Sequence, residues 1–524
     1  MVHGRLFALK IILFGSAQST GDGKVPTKPA TNGGPISSLV DTLRNDQRVG
    51  YFGLTLWTAM LLGIAFVGFY HIFYVLFIFG YILAVIQLRE LAARFRPAHR
   101  VLGWVNWQRF ALVVVIAVAF RWLMLLQDQV ICTDLSVYVT RSNAMLDGQI
   151  PYRDFSGGTK PPAYQYMLYV MGATIGDDAL RFRALFSVAD AIVAGLVYSL
   201  CRTRYDVGHS LAMGMAYAMC PVAIVAIGLS GHYEGVTGLF AVASLLTLWK
   251  GRRDSSALAL GISFSLKIYA AAILPFMAVA SARTARKGNR PGNHSGWVPS
   301  LRYGLLFSLA AILSLVPLVI INRDAVSAYF GERGVFQGWG SFATFMRYTF
   351  DVEEIGGIRI GWIPIAIIGL LLLLFFRDWL RDSVSALRRW TKVTIVVMIV
   401  HYGFHFALVF PYYEPANYEV MMVIFLIAWF SITGYILYRL LPRIELGTER
   451  ELSLERSGLA VAASIALILF VLAMPALGPW YFLWPLPFVL AIEPRDVRET
   501  FLMLMFWHAI GIGVALLPGL TAVN

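Results

Sequence analysis

The chain contains 524 residues, of which 58% are hydrophobic and only 14% are charged. Soluble domains carry roughly a quarter charged residues, so this composition excludes a soluble globular protein and indicates one that crosses a membrane several times. The net charge of +13 is expected from basic residues that flank membrane spans, which favours this explanation over nucleic-acid binding. The odd number of cysteines and their spacing predict neither a disulfide framework nor a zinc site; they are Cys132, Cys201 and Cys220.

Residues 1–50 are weakly apolar and then rich in Gly, Thr, Pro and Ser, and their apolar run at 6–14 is too short to cross a bilayer. We expect this segment to be a mobile cytoplasmic tail, followed by one transmembrane domain over residues 51–524. Continuous apolar runs then predict an all-α bundle of about 13 spanning helices. The predicted spans are 51–69, 70–88, 106–126, 183–201, 209–229, 235–249, 303–321, 361–376, 391–411, 418–440, 457–473, 478–492 and 499–518.

Two further apolar segments, 163–176 and 257–281, leave the topology open. Basic loops tend to face the cytoplasm, but the loop at 250–253 would lie outside if both segments crossed once. Every basic loop lies inside if 163–176 follows the outer interface and 257–281 turns back near Lys267. This solution puts the remaining polar segments on the outer face. That arrangement is typical of an enzyme with an outward cavity, whereas a transporter places polar groups near the midplane.

The first outer loop concentrates the polar residues. Asp134 opens it, and Tyr138 and Arg141 follow at i+4 and i+7, on one face if this stretch is helical. Asp134 is either a solvated loop carboxylate or a general base for an acceptor hydroxyl. Lys160 precedes two prolines that fix the backbone. Its ammonium either extends to the membrane interface or contacts a phosphate.

This loop resembles the first external loop of the membrane glycosyltransferases that use polyprenyl-phosphate sugars. It is most similar to the aminoarabinose transferases and protein mannosyltransferases of the GT-C fold. Many members carry a second acid directly after the first, where this chain has Leu135, and this departure argues against a paired-acid or metal-assisted role. The shared elements are Asp134, Tyr138, Arg141, the Gly-x-x-Pro-Tyr element at 148–152 and the Lys-Pro-Pro element at 160–162.

Weaker similarities to the same family extend the resemblance over roughly residues 106–490. The segment 231–234, Gly-His-Tyr-Glu, resembles a later acidic position, although His232 and Glu234 are equally explained as helix caps. The segment 261–267 resembles a glycine-rich run that ends in Lys. The segment 478–485 resembles an aromatic-proline element near the C-terminus.

Simpler explanations compete for several of these residues. The aromatic residues of 478–485 are better explained by an interfacial aromatic belt. Lys267 differs, because an ionisable group within an apolar segment is costly and is a functional candidate by default. His401 and His405 share a helical face at a spacing that can bind metal. Since no Glu accompanies them, we interpret them as pore lining or core packing.

The resemblance implies an enzyme that transfers a mannose-like hexose from a polyprenyl-phosphate carrier to an acceptor hydroxyl of a glycan, lipid or protein. Transfer would invert the sugar, and the active site would lie on the non-cytoplasmic face of the cell membrane. Asp134 would be the base, and Lys160 with Arg333 would stabilise the departing phosphate. The sequence supports no cofactor, divalent metal or nucleic-acid partner. The remaining substrate-binding candidates are Tyr138, Arg141, Tyr233, Glu234 and Lys267.

Other classes of function remain open at this point. A multi-span transporter or lipid flippase would move its substrate without turnover. A glycan polymerase or ligase would transfer an oligosaccharide instead of a single sugar. A non-catalytic subunit of a membrane assembly would keep its function without Asp134.

Overall fold

The computed structural model describes most of the first half of the chain and parts of its C-terminal region. The described residues are 47–68, 71–94, 101–127, 134–155, 160–176, 178–286, 298–321, 324, 459–460, 463–464, 466–468, 471, 479–492, 498, 502 and 505. Several predictions lie outside them. These are residues 1–46 of the tail predicted at 1–50, Arg333, the histidines His401 and His405, and the spans 361–376, 391–411 and 418–440. Residues 47–50 belong to the first helix and not to a tail.

The described part of the chain is helical, and no β-strand occurs within it. Long apolar runs favour helices in a membrane because a helix satisfies every backbone polar group within its own segment. The helices are α1 (Gln47–Phe66), α2 (His71–Arg94), α3 (Asn106–Leu123), α4 (Asp134–Leu146), α5 (Pro162–Ile175), α6 (Ala179–Arg202), α7 (Val207–Ala218), α8 (Glu234–Trp249), α9 (Arg253–Leu266), α10 (Leu274–Arg286), α11 (Val298–Leu313), α12 (Val316–Ile321) and α13 (Leu486–Leu490). Shorter turns are the 3-10 helices Met124–Leu126, Ile268–Ile273 and Pro479–Leu483, the α-helical turn Pro221–Ala223 and the π-helix Ile224–Leu229.

Within the described residues, four helical segments are long and apolar enough to cross a membrane. They coincide with four predicted spans, which are therefore confirmed as helices of spanning length. The chain is therefore a membrane protein, and the part of it that the structure describes is all-α. The segments are Arg48–Phe66, Asn106–Leu126, Ala179–Arg202 and Val207–Leu229.

The predicted reversal within 257–281 is present. α9 begins beside the first turns of α11 and ends before Lys267, which contacts Glu234 at the start of α8. α10 then returns to the first turn of α11, where Ser300 donates to the Ala278 carbonyl at 2.9 Å. The segment therefore enters and leaves from one end of the bundle, with Lys267 near its turning point.

Helices α4 and α5 form a hairpin at the end of the bundle where Lys267 lies. Ser142 of α4 donates to the Leu168 carbonyl of α5 at 3.0 Å. α5 leads directly into α6, and Arg181 in the first turn of α6 donates back to the Ile175 carbonyl at 2.6 Å. Both ends of α5 thus stay at one end of the bundle.

The predicted span 478–492 is wrong as a single helix. A 3-10 helix occupies Pro479–Leu483, and α13 begins only at Leu486. Proline explains the break, because Pro485 lacks an amide proton and its ring clashes with the preceding turn of a helix. The segment packs into the protein, and Trp484 is only 2% exposed.

A buried ion pair joins three of the helices that reach this end. The Arg121 Nε of α3 donates to Asp190 Oδ2 of α6 at 2.6 Å, and both side chains are 0% exposed. The Tyr217 hydroxyl of α7 donates to the other carboxylate oxygen at 2.8 Å. Gly235 packs so closely on Asp190 that a Cβ atom there would collide with it. The ion pair therefore also fixes where α8 begins.

Candidate active site

Charged residues from separate segments meet where α4 and α8 begin. They come from the start of α4, the residue before the two prolines, the start of α8 and the residue after α9. Aromatic rings of α4, α5, the turn before α8 and the 3-10 helix at 479–483 surround them. The charged residues are Asp134, Lys160, Glu234 and Lys267.

Asp134 is the first residue of α4, and its side chain is 41% exposed. The Tyr138 hydroxyl, one helical turn later, donates to Asp134 Oδ2 at 3.1 Å, and Lys160 Nζ lies 3.8 Å from the same oxygen. Burial alone would raise the pKa of Asp134, but Lys160, His232 and Lys267 outweigh it and hold the pKa below the usual value. Asp134 is therefore ionised at neutral pH and accessible from the site.

The Lys160 side chain lies against three tyrosine rings. Its ammonium lies 4.8 Å, 5.0 Å and 5.4 Å from the ring centroids of Tyr138, Tyr164 and Tyr233, a cation–π arrangement that stabilises a positive charge. Burial lowers the pKa of Lys160 to about 8, while the nearby Asp134 carboxylate limits the fall. The ammonium is therefore present at neutral pH and sensitive to alkaline pH.

The loop before Lys160 is anchored by Tyr152. This residue adopts a left-handed backbone conformation, φ 67°, which is uncommon for a residue other than glycine. Its side chain is buried, and its hydroxyl donates to the Lys160 carbonyl at 2.6 Å. Pro162 then occupies the first turn of α5, where a missing amide proton costs nothing. These anchors explain why Lys160 has a defined position.

Glu234 and Lys267 form a second pair deeper in the protein. The Glu234 side chain is 0% exposed and that of Lys267 is 14% exposed, and the Lys267 ammonium donates to Glu234 Oε1. The same ammonium lies 5.0 Å, 4.9 Å and 5.0 Å from the ring centroids of Tyr233, Tyr481 and Trp484. A buried carboxylate needs such a partner, because an unpaired charge would be strongly destabilising there.

A non-standard turn brings His232 and Glu234 into the site. The π-helix at 224–229 is followed by Gly231 with φ +71°, a conformation that glycine adopts without strain. Arg183 of α6 holds this turn by donating to the Gly228 carbonyl at 3.1 Å and, towards α3, to the Met124 carbonyl at 2.7 Å. π-Helical turns often mark functional sites.

His232 and Trp480 are site residues that our sequence analysis missed. Their rings stack with centroids 4.0 Å apart. His232 was considered only as a helix cap, and the aromatic belt expected at 478–485 is wrong for Trp484, which stacks on Tyr269 inside the protein at 4.1 Å. A histidine two residues before an acid, in the loop between two predicted spans, was the available signal for His232.

The other predicted site residues have different outcomes. Tyr138 and Tyr233 lie beneath Lys160, as described above. Arg141 is half-buried on α4. It lies at the edge of the site and interacts electrostatically with Lys160 and Tyr164. No position can be given for Arg333, which lies outside the described residues.

This arrangement contains groups that are suited to proton transfer and to anion binding. Asp134 can accept a proton from a bound hydroxyl, and Lys160 can neutralise a negative charge that develops beside it. The buried Tyr233 hydroxyl has no hydrogen-bond partner among the described residues, and the Tyr164 hydroxyl lies beside Arg141. Both hydroxyls can donate to ligand oxygens. No group of three His, Cys, Asp or Glu side chains in the described part of the chain is spaced to hold a metal ion.

Comparisons with known proteins do not assign the chain to a family. No family model matches the sequence, and no curated protein matches it significantly.

Proposed function

We propose that the protein is an integral-membrane glycosyltransferase of the GT-C type. It would move a mannose-like hexose from a polyprenyl-phosphate carrier to an acceptor hydroxyl with inversion. The observation that carries the proposal is the pairing of an accessible carboxylate, Asp134, with the Lys160 ammonium 3.8 Å away. The carboxylate can accept the proton of the incoming hydroxyl, and the ammonium can bind the departing phosphate.

The base assignment is supported by the surroundings of Asp134. The carboxylate is ionised at neutral pH because its pKa is held below the usual value, chiefly by Lys160. It is also the more accessible acid of the site, since Glu234 is 0% exposed and occupied by Lys267. An acceptor hydroxyl can therefore reach Asp134 and lose its proton as its oxygen attacks the anomeric carbon.

The phosphate assignment is supported by the donors that surround Lys160. An ammonium is a good ligand for a phosphate oxygen, and the Tyr164 and Tyr233 hydroxyls lie on rings that this ammonium contacts. A phosphate bound here would compete with Asp134 for Lys160. Binding of the donor would thereby release the carboxylate to act as the base.

A first prediction concerns Lys160. Replacing it with Ala should weaken donor binding and transfer by roughly 10- to 100-fold, because a charge-assisted hydrogen bond contributes about 1.5–3 kcal/mol. Lys160→Arg should retain more activity than Lys160→Ala but less than wild type, since a planar guanidinium differs from a point charge. The measurement is transfer from a purified polyprenyl-phosphate mannose in detergent, with donor binding followed separately.

The pH dependence gives this prediction an internal check. Because the pKa of Lys160 is about 8, its positive charge is present below that pH and lost above it. Donor binding should weaken between pH 7 and 9 in wild type and change little in Lys160→Arg. Lys250→Ala, an exposed lysine after α8, is the matched control. Wild-type donor affinity in Lys160→Ala would contradict the assignment.

A second prediction concerns the side of the membrane that the site faces. We propose that it faces away from the cytoplasm, because the basic loop at 250–253 lies at the opposite end of α8. In a chain without native cysteines, Gln149→Cys should react with an impermeant maleimide in intact cells, and Arg252→Cys should react only after permeabilisation. Both positions are exposed. The reverse labelling pattern would place the site inside.

The same purified protein separates the proposal from its rivals. Movement of the lipid-linked sugar across a vesicle membrane without transfer would identify a flippase. Transfer of whole oligosaccharides, with no transfer of single sugars, would identify a polymerase or ligase.

A further inference from the structure

His232 has a position that the proposed reaction does not yet explain. The side chain is 0% exposed, and neither ring nitrogen has a hydrogen-bond partner among the described residues. Buried polar groups are nearly always hydrogen-bonded, so an exception calls for an explanation. His232 Nδ1 lies 3.8 Å from Asp134 Oδ2 and 3.7 Å from Glu234 Oε2. The imidazole therefore lies between the two carboxylates of the site.

Ring stacking and a backbone hydrogen bond hold His232 in position. Its face stacks on Trp480 with an interplanar angle of 22°, and its backbone amide donates to the Ala226 carbonyl of the π-helix at 3.0 Å. A Cβ atom on Gly231 would press on Arg183 and Leu135. This packing keeps Nδ1 close to both acids.

We propose that His232 receives the proton that Asp134 removes from the acceptor. This inference rests on the proposed function. The acceptor oxygen forms a bond to the anomeric carbon, the bond from that carbon to the phosphate oxygen breaks, and its electron pair leaves with the phosphate. The hydroxyl proton passes to Asp134 and from there to His232 Nδ1, where Glu234 stabilises the imidazolium. His232 does not contact the reacting atoms itself. It acts through Asp134, from which it takes the proton.

The charges around His232 favour this direction of transfer. Burial lowers the pKa of His232, the carboxylates Glu234 and Asp134 oppose that effect, and the ammoniums of Lys267 and Lys160 add to it. The ring is therefore neutral in the resting site and able to accept a proton. Other titratable groups near it are Arg183, which packs against Gly231, and the tyrosines Tyr233 and Tyr481.

Transfer itself makes protonation easier. The donor phosphate diester carries one negative charge, and the monoester that remains after transfer can carry two. The added charge lies beside Lys160 and offsets its repulsion of an imidazolium. The proton and the new negative charge thus appear at the same time, at His232 and beside Lys160, which each lie 3.8 Å from Asp134 Oδ2.

The first test compares His232→Gln with His209→Gln. Glutamine has a similar size and keeps hydrogen bonding but cannot carry the proton, and His209 on α7 contacts Arg498 away from the site. In His232→Gln, transfer should fall by about 10²-fold at pH 7. Wild-type rates should decline as the pH falls from 7 to 5 and His232 becomes protonated, and this decline should be absent from the variant. His209→Gln should behave as wild type.

The second test does not depend on activity. Histidine-labelled protein in lipid nanodiscs is titrated by NMR, with the His232 signal identified by its absence from His232→Gln or by its displacement in Asp134→Asn. Adding citronellyl phosphate, a short monoester, should raise the pKa of His232 by about one pH unit or more. An unchanged pKa together with wild-type rates in His232→Gln would overturn the inference. If wild type transfers no sugar, the proposed function fails, and the NMR titration alone decides whether His232 responds to a bound phosphate.

Discussion

Replacing Asp134 with Asn is expected to reduce sugar transfer by about 10²–10⁴-fold, the range over which general base catalysis contributes. The amide keeps the shape of the carboxylate and can still accept the Tyr138 hydrogen bond, but it cannot take a proton. Donor binding should largely survive, since the ligand phosphate replaces Asp134 as the partner of Lys160. The measurement is transfer from purified polyprenyl-phosphate mannose, with binding of the donor followed separately.

The matched control for this variant is Asp254→Asn. Asp254 is an exposed acid that pairs with Arg302 at 2.5 Å. It lies at the start of α9, whereas Lys267 follows the other end of that helix. The Asp254→Asn variant should transfer sugar at the wild-type rate. Near-normal transfer by Asp134→Asn would rule out the assigned base and direct attention to Glu234, the other carboxylate of the site.

Removing the Asp190 carboxylate should destabilise the protein by about 3–5 kcal/mol, because breaking a buried ion pair leaves an uncompensated charge. In Asp190→Ala, the Arg121 guanidinium would stay at 0% exposure with carbonyl acceptors of Ala117 and Ala218 but no opposite charge. The Tyr217 hydroxyl would lose its acceptor as well. Reversible unfolding in mixed micelles, or the midpoint of thermal unfolding in detergent, measures the loss.

Two further variants show whether charge causes this effect. Arg121→Met combined with Asp190→Ala should recover part of the stability, because no buried charge remains. Asp254→Ala, which breaks the exposed pair with Arg302, should cost less than about 1 kcal/mol. Equal losses in Asp190→Ala and Asp254→Ala would show that the buried pair contributes nothing beyond a surface contact.

Local features of the site were predictable from the sequence. An apolar run of spanning length, such as 106–126, forms a helix whatever its neighbours, since backbone hydrogen bonds have no alternative in lipid. Asp134 and Tyr138 meet because residues four apart share a helical face. The double proline predicted a defined position for Lys160. The distribution of basic loops predicted a chain reversal within 257–281, and the interruption of the apolar run at Lys267 indicated where it lies.

The ionised residues within spans were a signal that our sequence analysis left unused. Arg121, Arg183 and Asp190 all lie inside predicted or observed spanning helices, where a charge is costly unless it is paired. Their presence alone indicated ion pairs in the protein interior or hydrogen bonds from these side chains to backbone carbonyls. It did not indicate which helices they join, because that depends on how the helices rotate and pack.

What the sequence determined by itself was therefore the membrane class, four helices of spanning length, the break at Lys267 and the order of residues in the first loop. The tertiary structure alone decided which distant residues share the site. His232 lies 98 positions after Asp134, and Trp484 lies 217 positions after Lys267, so no local rule brings either pair together. Aromatic residues near a span end suit a lipid interface as well as a protein core, and only packing against Tyr269 and Lys267 places Trp484 inside. Helix periodicity and proline act within a few residues, whereas the site forms from contacts between segments that fold back on one another.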